Sequence, residues 1–297
     1  MRIRFSAARI ALLAMAFCAL PSHALLVTYN DFSSTAGLTL VPGATTTTTG
    51  DGTVLRLTGA GFFQSGAAYS TNPITLGASA TFSTTFKFRF TQTGGIDPAD
   101  GITFVLAASP NGLGGAGVGM GYAGVPNSVA IEFDTYNNAG FGLGNNDGNS
   151  SNHVSIDTNG SLTNIALHNV YGNPSCGFPG GNPPQNSNAV FGCMSNGDLW
   201  SVTIGYNGSL LSVSVQDGLG PADPAIVNFP INIASFLGTN TAYVGFTAAT
   251  GSGFENHDIV SWQFANTTEL ANVPEPATLA LLGLGLAGLG FSRRTRT

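Results

Sequence analysis

The chain has 297 residues, only 8% of them are charged, and its formal net charge at pH 7 is −6. Between residues 25 and 272 the only basic residues are Arg56, Lys87 and Arg89, against fourteen Asp and Glu, so that part carries a net charge of −11. Such an acidic balance argues against binding to nucleic acid or to anionic lipid surfaces. Because so few cations are available, we expect some of the clustered carboxylates to meet a metal ion.

The first 24 residues predict a secretory signal peptide. Three arginines, at positions 2, 4 and 9, precede an uncharged apolar run over residues 10–20, and small residues follow up to Ala24. A basic start, a short apolar run and a small-residue cleavage site are the layout of such a peptide. We therefore expect export, cleavage after Ala24, and a fold that begins at residue 25.

The central part of the chain predicts strands and no long amphipathic helix. In Phe82–Phe90 the even positions hold four phenylalanines and the odd positions hold Lys87 and Arg89, which is the period of a strand with one buried and one wet face. Further strands are predicted over residues 102–106, 128–135, 153–156, 199–206, 210–215, 241–248 and 259–264. The predicted fold is a single all-β antiparallel sandwich over residues 25–270, a length that is ordinary for one such domain.

Two acids on one predicted strand are the first candidate functional residues. Glu132 and Asp134 are two residues apart, so they point to the same face of the strand, while Ile131 and Phe133 point to the other. Two such carboxylates repel each other unless one is protonated or both meet a cation. A hard cation with oxygen ligands from the following loop is the interpretation we favour, and a solvated acidic strand edge is the alternative.

Two long segments between the predicted strands are predicted as loops. Asn137–Asn152 follows the acidic strand and is predicted to be functional, because long loops in a compact domain usually are. Asn169–Asn196 is predicted to be an insertion. With Cys18 removed in the signal peptide, the remaining pair, Cys176 and Cys193, predicts a disulfide that closes this insertion and contributes about 3 kcal/mol.

Residues 273–297 have three parts. Val273–Pro276 reads Val-Pro-Glu-Pro, residues 277–291 are uncharged and mainly apolar, and three arginines follow. This tail resembles the PEP-CTERM sorting signal of Gram-negative bacteria, which implies removal by a membrane protease of the exosortase type. The apolar part would rise only about 22 Å as a helix, short of a hydrocarbon core of about 30 Å, which favours transient contact with the inner membrane. A permanent C-terminal membrane helix is the alternative.

Five motifs together resemble the legume (L-type) lectins, and they occur in the order found in that family. They are Ala99–Leu106 (similar to A-D-G-x-A-F-F-x), Gly119–Tyr122 (a glycine-rich turn), Val129–Asn138 with the later His153 (V-E-F-D-T-Y-x-N, then H-I-G-I-D), Val244–Gly251 (V-G-F-S-A-x-T-G) and Ile259–Phe264 (L-S-W-x-F). The resemblance covers about residues 25–265. It implies a concanavalin-like jelly-roll sandwich that binds carbohydrate and is not an enzyme.

The resemblance also implies the metal ligands. A transition-metal site, with Mn²⁺ or a similar ion, would be formed by Glu132, Asp134, Asp147 and His153. A Ca²⁺ site would share the two aspartates and add the backbone carbonyl of Tyr136 and the side-chain oxygen of Asn138. The loop from Asn138 to Asp147 is longer than the usual legume version. This leaves open whether Asn145 or Asn146 replaces a ligand, and whether one ion is bound or two.

The implied sugar site surrounds Asp100. In the family, the matching aspartate follows a cis peptide bond and accepts hydrogen bonds from two sugar hydroxyls, so the bond between Ala99 and Asp100 is the candidate here. The other residues implied are Asn138, a backbone N–H near Gly119, Phe141 as the aromatic ring stacked on the sugar, and Ser252 and Gly253 in the loop that varies with specificity. The ligand would be a glycan or an exopolysaccharide at the cell surface or in the extracellular matrix.

Two other functions remain open on the sequence. A structural matrix protein would keep the same fold and metal site without binding sugar. A glycoside hydrolase can use the same architecture, but its catalytic strand reads E-x-D-x-x-E, because hydrolysis needs two carboxyl groups in separate roles. Here the third acid is replaced by Asn137, so catalysis is not expected.

Overall fold

A computed structural model describes residues 25–76, 81–139, 147–178 and 186–266. Within these ranges the chain forms two antiparallel sheets of eight strands each and one small parallel sheet of two strands. The prediction of an all-β antiparallel sandwich is therefore confirmed. The predicted signal peptide, the C-terminal tail, Phe141, Asn145 and Asn146 lie outside the described residues.

The first sheet contains the strand with alternating phenylalanines. Its strands are β1 (Leu25–Tyr29), β3 (Thr45–Thr49), β4 (Gly52–Thr58), β7 (Phe82–Gly95), β14 (Trp200–Tyr206), β15 (Leu210–Asp217), β16 (Asp223–Pro230) and β18 (Gly253–Ala265). Their order across the sheet is β16-β15-β14-β7-β18-β4-β3, with β1 also paired to β18. The two longest strands, β7 and β18, lie next to each other in the middle of this sheet.

The second sheet carries the acidic strand. Its strands are β2 (Leu38–Val41), β5 (Ser65–Ser70), β6 (Ile74–Thr75), β8 (Gly101–Ala107), β9 (Ser128–Asp134), β10 (His153–Thr158), β11 (Ser161–Asn169) and β17 (Thr241–Ala249). Their order is β11-β10-β9-β8-β17-β5-β2, with β6 also paired to β17. The small parallel sheet pairs β12 (Cys176–Gly177) with β13 (Asn186–Ser187), and one short helix, α1 (Ile233–Leu237), precedes β17.

The main hydrophobic core lies between the two large sheets. Phe86 of the first sheet packs against Phe104, Phe133 and Phe246 of the second, with ring centroids 6.1, 5.6 and 4.9 Å apart. The four predicted inward phenylalanines of β7 are buried, while Lys87 is exposed. Burying aromatic rings of this size supplies a large part of the hydrophobic stabilisation.

The opposite face of the second sheet is also covered. A second cluster there joins Val105 of β8 and Ala130 of β9 to Tyr122 and Val125, which belong to the long connection between these strands. Consequently every residue of β9 is buried, including the two acids. Ile131 and Phe133 point into the main core, as the alternation predicts. The opposite face of β9, which carries Glu132 and Asp134, is buried as well.

The structure differs from the expected elements in two respects. The N-terminal strands, β11 and β16 had no strong alternation and were not predicted, and the predicted long loop 169–196 contains the pair β12–β13. In the parts of the chain that the structure describes, no helix is long and apolar enough to span a membrane.

Candidate metal centre and ligand pocket

The register of three neighbouring strands assembles the candidate metal centre. On β9, Asp134 lies directly opposite His153 of β10 on one side and Gly101 of β8 on the other. Directly opposite residues in an antiparallel pair have Cβ atoms about 5 Å apart, close enough to share one ion. Glu132, two residues earlier, points to the same face as Asp134. Strand register thus places a carboxylate pair and an imidazole at one end of the sheet.

Glu132, Asp134 and His153 offer ligand atoms that all lie within 4.8 Å of one another, and at most 1% of each residue is exposed. Burial, followed by the nearby charges of Asp147 and Glu132, raises the pKa of the Asp134 carboxyl well above its usual range. Burial also lowers the pKa of His153, so its imidazole favours the neutral form that binds metals. Neither ring nitrogen of His153 has a hydrogen bond of good geometry.

The loop after β9 brings the remaining predicted ligands to the same place. The side-chain amide nitrogen of Asn138 lies 3.3 Å from a carboxylate oxygen of Asp134 and 3.3 Å from the carbonyl oxygen of Tyr136. The backbone N–H of Asn138 donates to Asp147 at 2.6 Å, and its side-chain oxygen is buried without a partner. Burial and the charge of Glu132 raise the pKa of Asp147 to about 7. Oxygen donors of this kind are those that Ca²⁺ prefers.

No arginine or lysine within the described ranges compensates these acids. Arg56 pairs with Asp258 and Arg89 with Asp51, both at 2.7 Å and on the first sheet, and Lys87 is exposed. Uncompensated buried carboxylates are costly unless they meet a cation or take up a proton. The donor set, with its orphaned oxygen and imidazole nitrogens, therefore fits a divalent ion.

One acid beside this cluster was missed in the sequence. Asp157 on β10 is fully buried, and the hydroxyl of Ser155 donates to Glu132 at 2.6 Å and lies 3.2 Å from Asp157. Ser155 stands where the legume pattern H-I-G-I-D has glycine, so this link between the two acids belongs to this chain. The alternation of His153, Ser155 and Asp157 along β10 is the signal that identifies it.

A pocket of about 260 Å³ lies beside the metal centre, around Asp100. The peptide bond between Ala99 and Asp100 is cis, and Asp100 is only 3% exposed, with one carboxylate oxygen buried and unpartnered. Burial and the charge of Glu255 raise its pKa. At Gly101 the backbone φ is +125°, and a Cβ would collide with the carbonyl of Phe133, so only glycine fits between β8 and β9.

The predicted sugar-site residues do not all line this pocket. Ser252 and Gly253 do, together with Tyr136, which was predicted as a metal ligand, and residues 116–118 of the glycine-rich turn. Gly119 lies just beyond them, and its N–H is directed at the carbonyl of Ala116 at 3.4 Å. Asn138 is buried among the metal-centre residues instead of lining the pocket. The described residues therefore give a pocket that contains the Asp100 carboxyl group as an acceptor and is bordered by the glycine-rich turn.

The insertion after β11 is attached directly to the metal-binding loop. Cys176 and Cys193 are joined by a disulfide bond. Ser151 and Asn152, which precede His153, are buried and bind this insertion: the Ser151 hydroxyl donates to the carbonyl of Cys176 at 2.7 Å and accepts its N–H at 2.9 Å. The loop closed by the disulfide thus supports the segment that carries His153.

Comparison with known families gives two matches. Residues 25–279 match the model of the legume lectin domain, and residues 272–294 match the model of the PEP-CTERM protein-sorting motif. These matches cover the whole described part of the chain and most of the C-terminal tail.

Similar proteins are found among plant lectins and plant receptor kinases. A probable L-type lectin-domain containing receptor kinase VII.2 of Arabidopsis thaliana is 30% identical over 261 residues, which cover 80% of this chain and 36% of the kinase, so the chain spans about a third of that relative's length. A lectin of Leucomphalos mildbraedii is 29% identical over 68% of this chain and 77% of its own.

Solved structures of legume lectins share the fold. A lectin from Bauhinia forficata in complex with GalNAc superposes with a TM-score of 0.63 at 22% identity, over 83% of this chain and 99% of the lectin. Lectin I-B4 from Griffonia simplicifolia, in a metal-free form, gives a TM-score of 0.62 at 23% identity, over 81% of this chain and 99% of the lectin.

Proposed function

This chain belongs to the legume lectin family, and from that premise we propose that it is an exported carbohydrate-binding protein. Its sugar site is the pocket around Asp100, and the neighbouring acids hold Ca²⁺, with a transition metal such as Mn²⁺ at the second position. The ligand is a glycan or an exopolysaccharide. Binding without catalysis is proposed, because the family is typically non-enzymatic.

The observation that carries this proposal is the buried carboxyl group of Asp100, which lines a pocket and has one oxygen without a hydrogen-bond partner. A buried acceptor without a partner is costly, so it points to a ligand that donates hydrogen bonds. Sugar hydroxyls are such donors, and the charged acceptor strengthens the bonds. Tyr136 and Ser252, which also line the pocket, add polar groups that orient a ligand.

The metal centre supports this pocket through the backbone. The N–H of Thr135, next to Asp134, donates to the carbonyl of Asp100 at 3.0 Å, so the end of β9 holds the acceptor in place. Asp134, Asp147, Asn138 and the Tyr136 carbonyl would hold Ca²⁺, while Glu132 and His153 would complete a transition-metal site. A bound cation supplies the positive charge that allows these carboxylates to stay ionised.

The hydrolase alternative finds no support in this geometry. Glu132 and Asp134 are enclosed and do not line the pocket around Asp100, and hydrolysis needs two carboxyl groups on either side of the scissile bond. The structural matrix protein shares the fold and metal ligands with a lectin, so a direct binding measurement separates the two.

The two ends of the chain support export. The PEP-CTERM motif suggests a protein sorted to the surface, and we propose signal-peptide cleavage after Ala24, transient contact with the inner membrane, and processing by an exosortase-type enzyme. The domain that acts would then be residues 25–270, at the cell surface or in the extracellular matrix.

Removal of divalent ions is expected to lower the melting temperature. An ion that binds only the folded protein stabilises it by mass action, which at a hundred times the dissociation constant corresponds to a shift of about 5 °C or more. Scanning calorimetry of the mature domain in Ca²⁺ and in EDTA measures this, and glycan-array binding under both conditions tests the sugar site.

Less than half an equivalent of any divalent ion after dialysis would contradict the metal site. Ion-dependent melting without glycan binding would favour the matrix protein.

Asp100→Asn is expected to weaken sugar binding at least tenfold and to leave the metal content unchanged. The substitution keeps the size of the side chain but turns a charged acceptor into an amide whose NH₂ faces hydroxyl donors, at a cost of about 1.5–3 kcal/mol. Calorimetric titration with any glycan found on the array measures the loss. Asp31→Asn, at an exposed aspartate outside the pocket, is the matched control. Equal affinity in parent and Asp100→Asn would remove the sugar site from this pocket.

A further inference from the structure

Phe63 is a large aromatic residue in an unfavourable position for one. Its side chain is 68% exposed, and its backbone φ is +52°, in the left-handed region that favours glycine or asparagine. An exposed ring in that conformation contributes little to folding by burial. A residue with such an unusual conformation points to a role outside folding.

The backbone around Phe63 is fixed to the turn that borders Asp100. The N–H of Phe63 donates to the carbonyl of Gly251 at 3.2 Å, and the hydroxyl of Thr250 donates to the carbonyl of Gly61 at 2.6 Å. The N–H of Gln64 in turn donates to that hydroxyl at 2.9 Å. These bonds involve only backbone atoms of this segment and the hydroxyl of Thr250. The backbone at position 63 is therefore held in place whatever side chain it carries.

The ring of Phe63 lines the same pocket as Asp100. Ile96, which is 57% exposed, lines it as well, and Phe62 continues the apolar surface by packing edge-on against Phe254 with ring centroids 4.9 Å apart. The pocket is therefore lined by a buried carboxyl acceptor and by exposed apolar side chains. A ligand that matches both parts carries hydroxyl donors and an adjoining apolar group.

We propose that Phe63 and Ile96 form an apolar subsite beside Asp100, and that the natural ligand is a sugar that carries an apolar substituent, such as an acyl, alkyl or aryl group. This inference rests on the proposed sugar site and specifies its ligand class. The hydroxyls of the sugar ring meet Asp100, while the substituent covers Phe63 and Ile96.

Matched pairs of methyl and phenyl glycosides test the subsite. Calorimetric titration of the mature domain in Ca²⁺ uses both anomers of galactose, glucose, mannose and N-acetylgalactosamine. For a sugar that binds, the phenyl glycoside is expected to bind at least about fivefold tighter than the methyl glycoside, because the phenyl ring is buried against the rim. Phe63→Gly is expected to reduce this preference to less than about twofold, because the phenyl group loses its contact with the ring while the hydroxyl contacts to Asp100 remain.

Two further variants separate a binding role from a structural one. Phe63→Gly is expected to melt at the same temperature as the parent or higher, because glycine adopts the positive φ without cost. Phe63→Tyr keeps a ring and should keep the preference, and so should Leu219→Ala, which removes an exposed apolar side chain outside the pocket.

The outcomes distinguish the inference from the function on which it rests. Equal binding of methyl and phenyl glycosides would overturn the subsite and leave the sugar site intact. A preference that survives Phe63→Gly would overturn it too, as would a change of oligomeric state in Phe63→Gly without a change in preference, since the ring would then be a protein contact. No binding of any glycoside to the ion-loaded domain would overturn the sugar site and the subsite together.

Discussion

Asp134→Asn is expected to abolish divalent-ion binding and sugar binding together. Asp134 is fully buried, and its carboxylate lies within 4.8 Å of ligand atoms of Glu132 and His153. The amide of Asn138 is 3.3 Å from it, and the charge of Asp147 is nearby, so both proposed ion positions depend on its charge. An amide is a weaker ligand for a hard cation than a carboxylate, and the ion affinity should fall at least about 100-fold. Elemental analysis and calorimetric titration with Ca²⁺ measure the loss.

The same substitution is expected to reverse its effect on stability when the ion is removed. Without an ion, burial and the neighbouring charges raise the pKa of Asp134, which means that the folded protein disfavours its charged form. Such a group costs stability at a pH where it is ionised in the unfolded chain, and asparagine removes that cost. In EDTA the variant should melt no lower than the parent, whereas in Ca²⁺ the parent should melt higher.

Asp157→Asn is the matched control for both results. Asp157 is also a buried acid with a raised pKa near Glu132, but it is outside the predicted ligand set. It should therefore bind ions as the parent does. If Asp157→Asn loses the ion and Asp134→Asn keeps it, the ligand set proposed for this centre is wrong.

The sequence predicts the middle of the sandwich better than its polar ends. Phe82–Phe90 has a clear alternation, but the strand continues to Gly95, because its partner β18 begins at Gly253 and pairs with it throughout. The start of β18 holds buried polar residues, and their partners are distant: Asp258 binds Arg56, and Glu255 accepts a hydrogen bond from Thr135. Apolar periodicity cannot identify a strand whose buried residues are polar.

The candidate site, too, was only partly predictable from local sequence patterns. Glu132 and Asp134 are two residues apart, so strand geometry alone predicts that they act together. His153 joins them only through the pairing of β9 with β10, which the family resemblance implied and local pattern did not. Phe63 and Asn152 were missed, because their importance comes from contacts with segments far away in the chain.

Asn152→Ala is expected to lower the free energy of unfolding by about 3 kcal/mol. The side chain of Asn152 is fully buried, and its oxygen accepts the N–H of Met194 at 3.0 Å. Its amide nitrogen donates to the carbonyl oxygens of Val170, Asn173 and Gly192, at 3.4, 3.1 and 2.8 Å. Alanine leaves the N–H of Met194 and the carbonyl of Gly192 buried without a partner and removes the contacts with the other two carbonyls. Each buried group left unpaired costs about 1 kcal/mol or more. Urea unfolding in EDTA measures the change, and Asn72→Ala, at an exposed asparagine, is the control.

The loss at Asn152 should extend to the metal centre, because this residue fastens the disulfide-closed insertion to the segment that carries His153. Its four partners lie within the insertion, near its two ends, and the neighbouring Ser151 binds Cys176. If these contacts are lost, the insertion no longer fixes the start of β10. Groups that orient a metal ligand typically contribute 10- to 100-fold to metal affinity, and we expect about tenfold weaker ion binding in Asn152→Ala. A variant that is destabilised in EDTA but binds Ca²⁺ as tightly as the parent would show that the insertion stabilises the sandwich without supporting the site. If ion affinity and stability fall together, then this insertion is part of what holds the metal centre in shape.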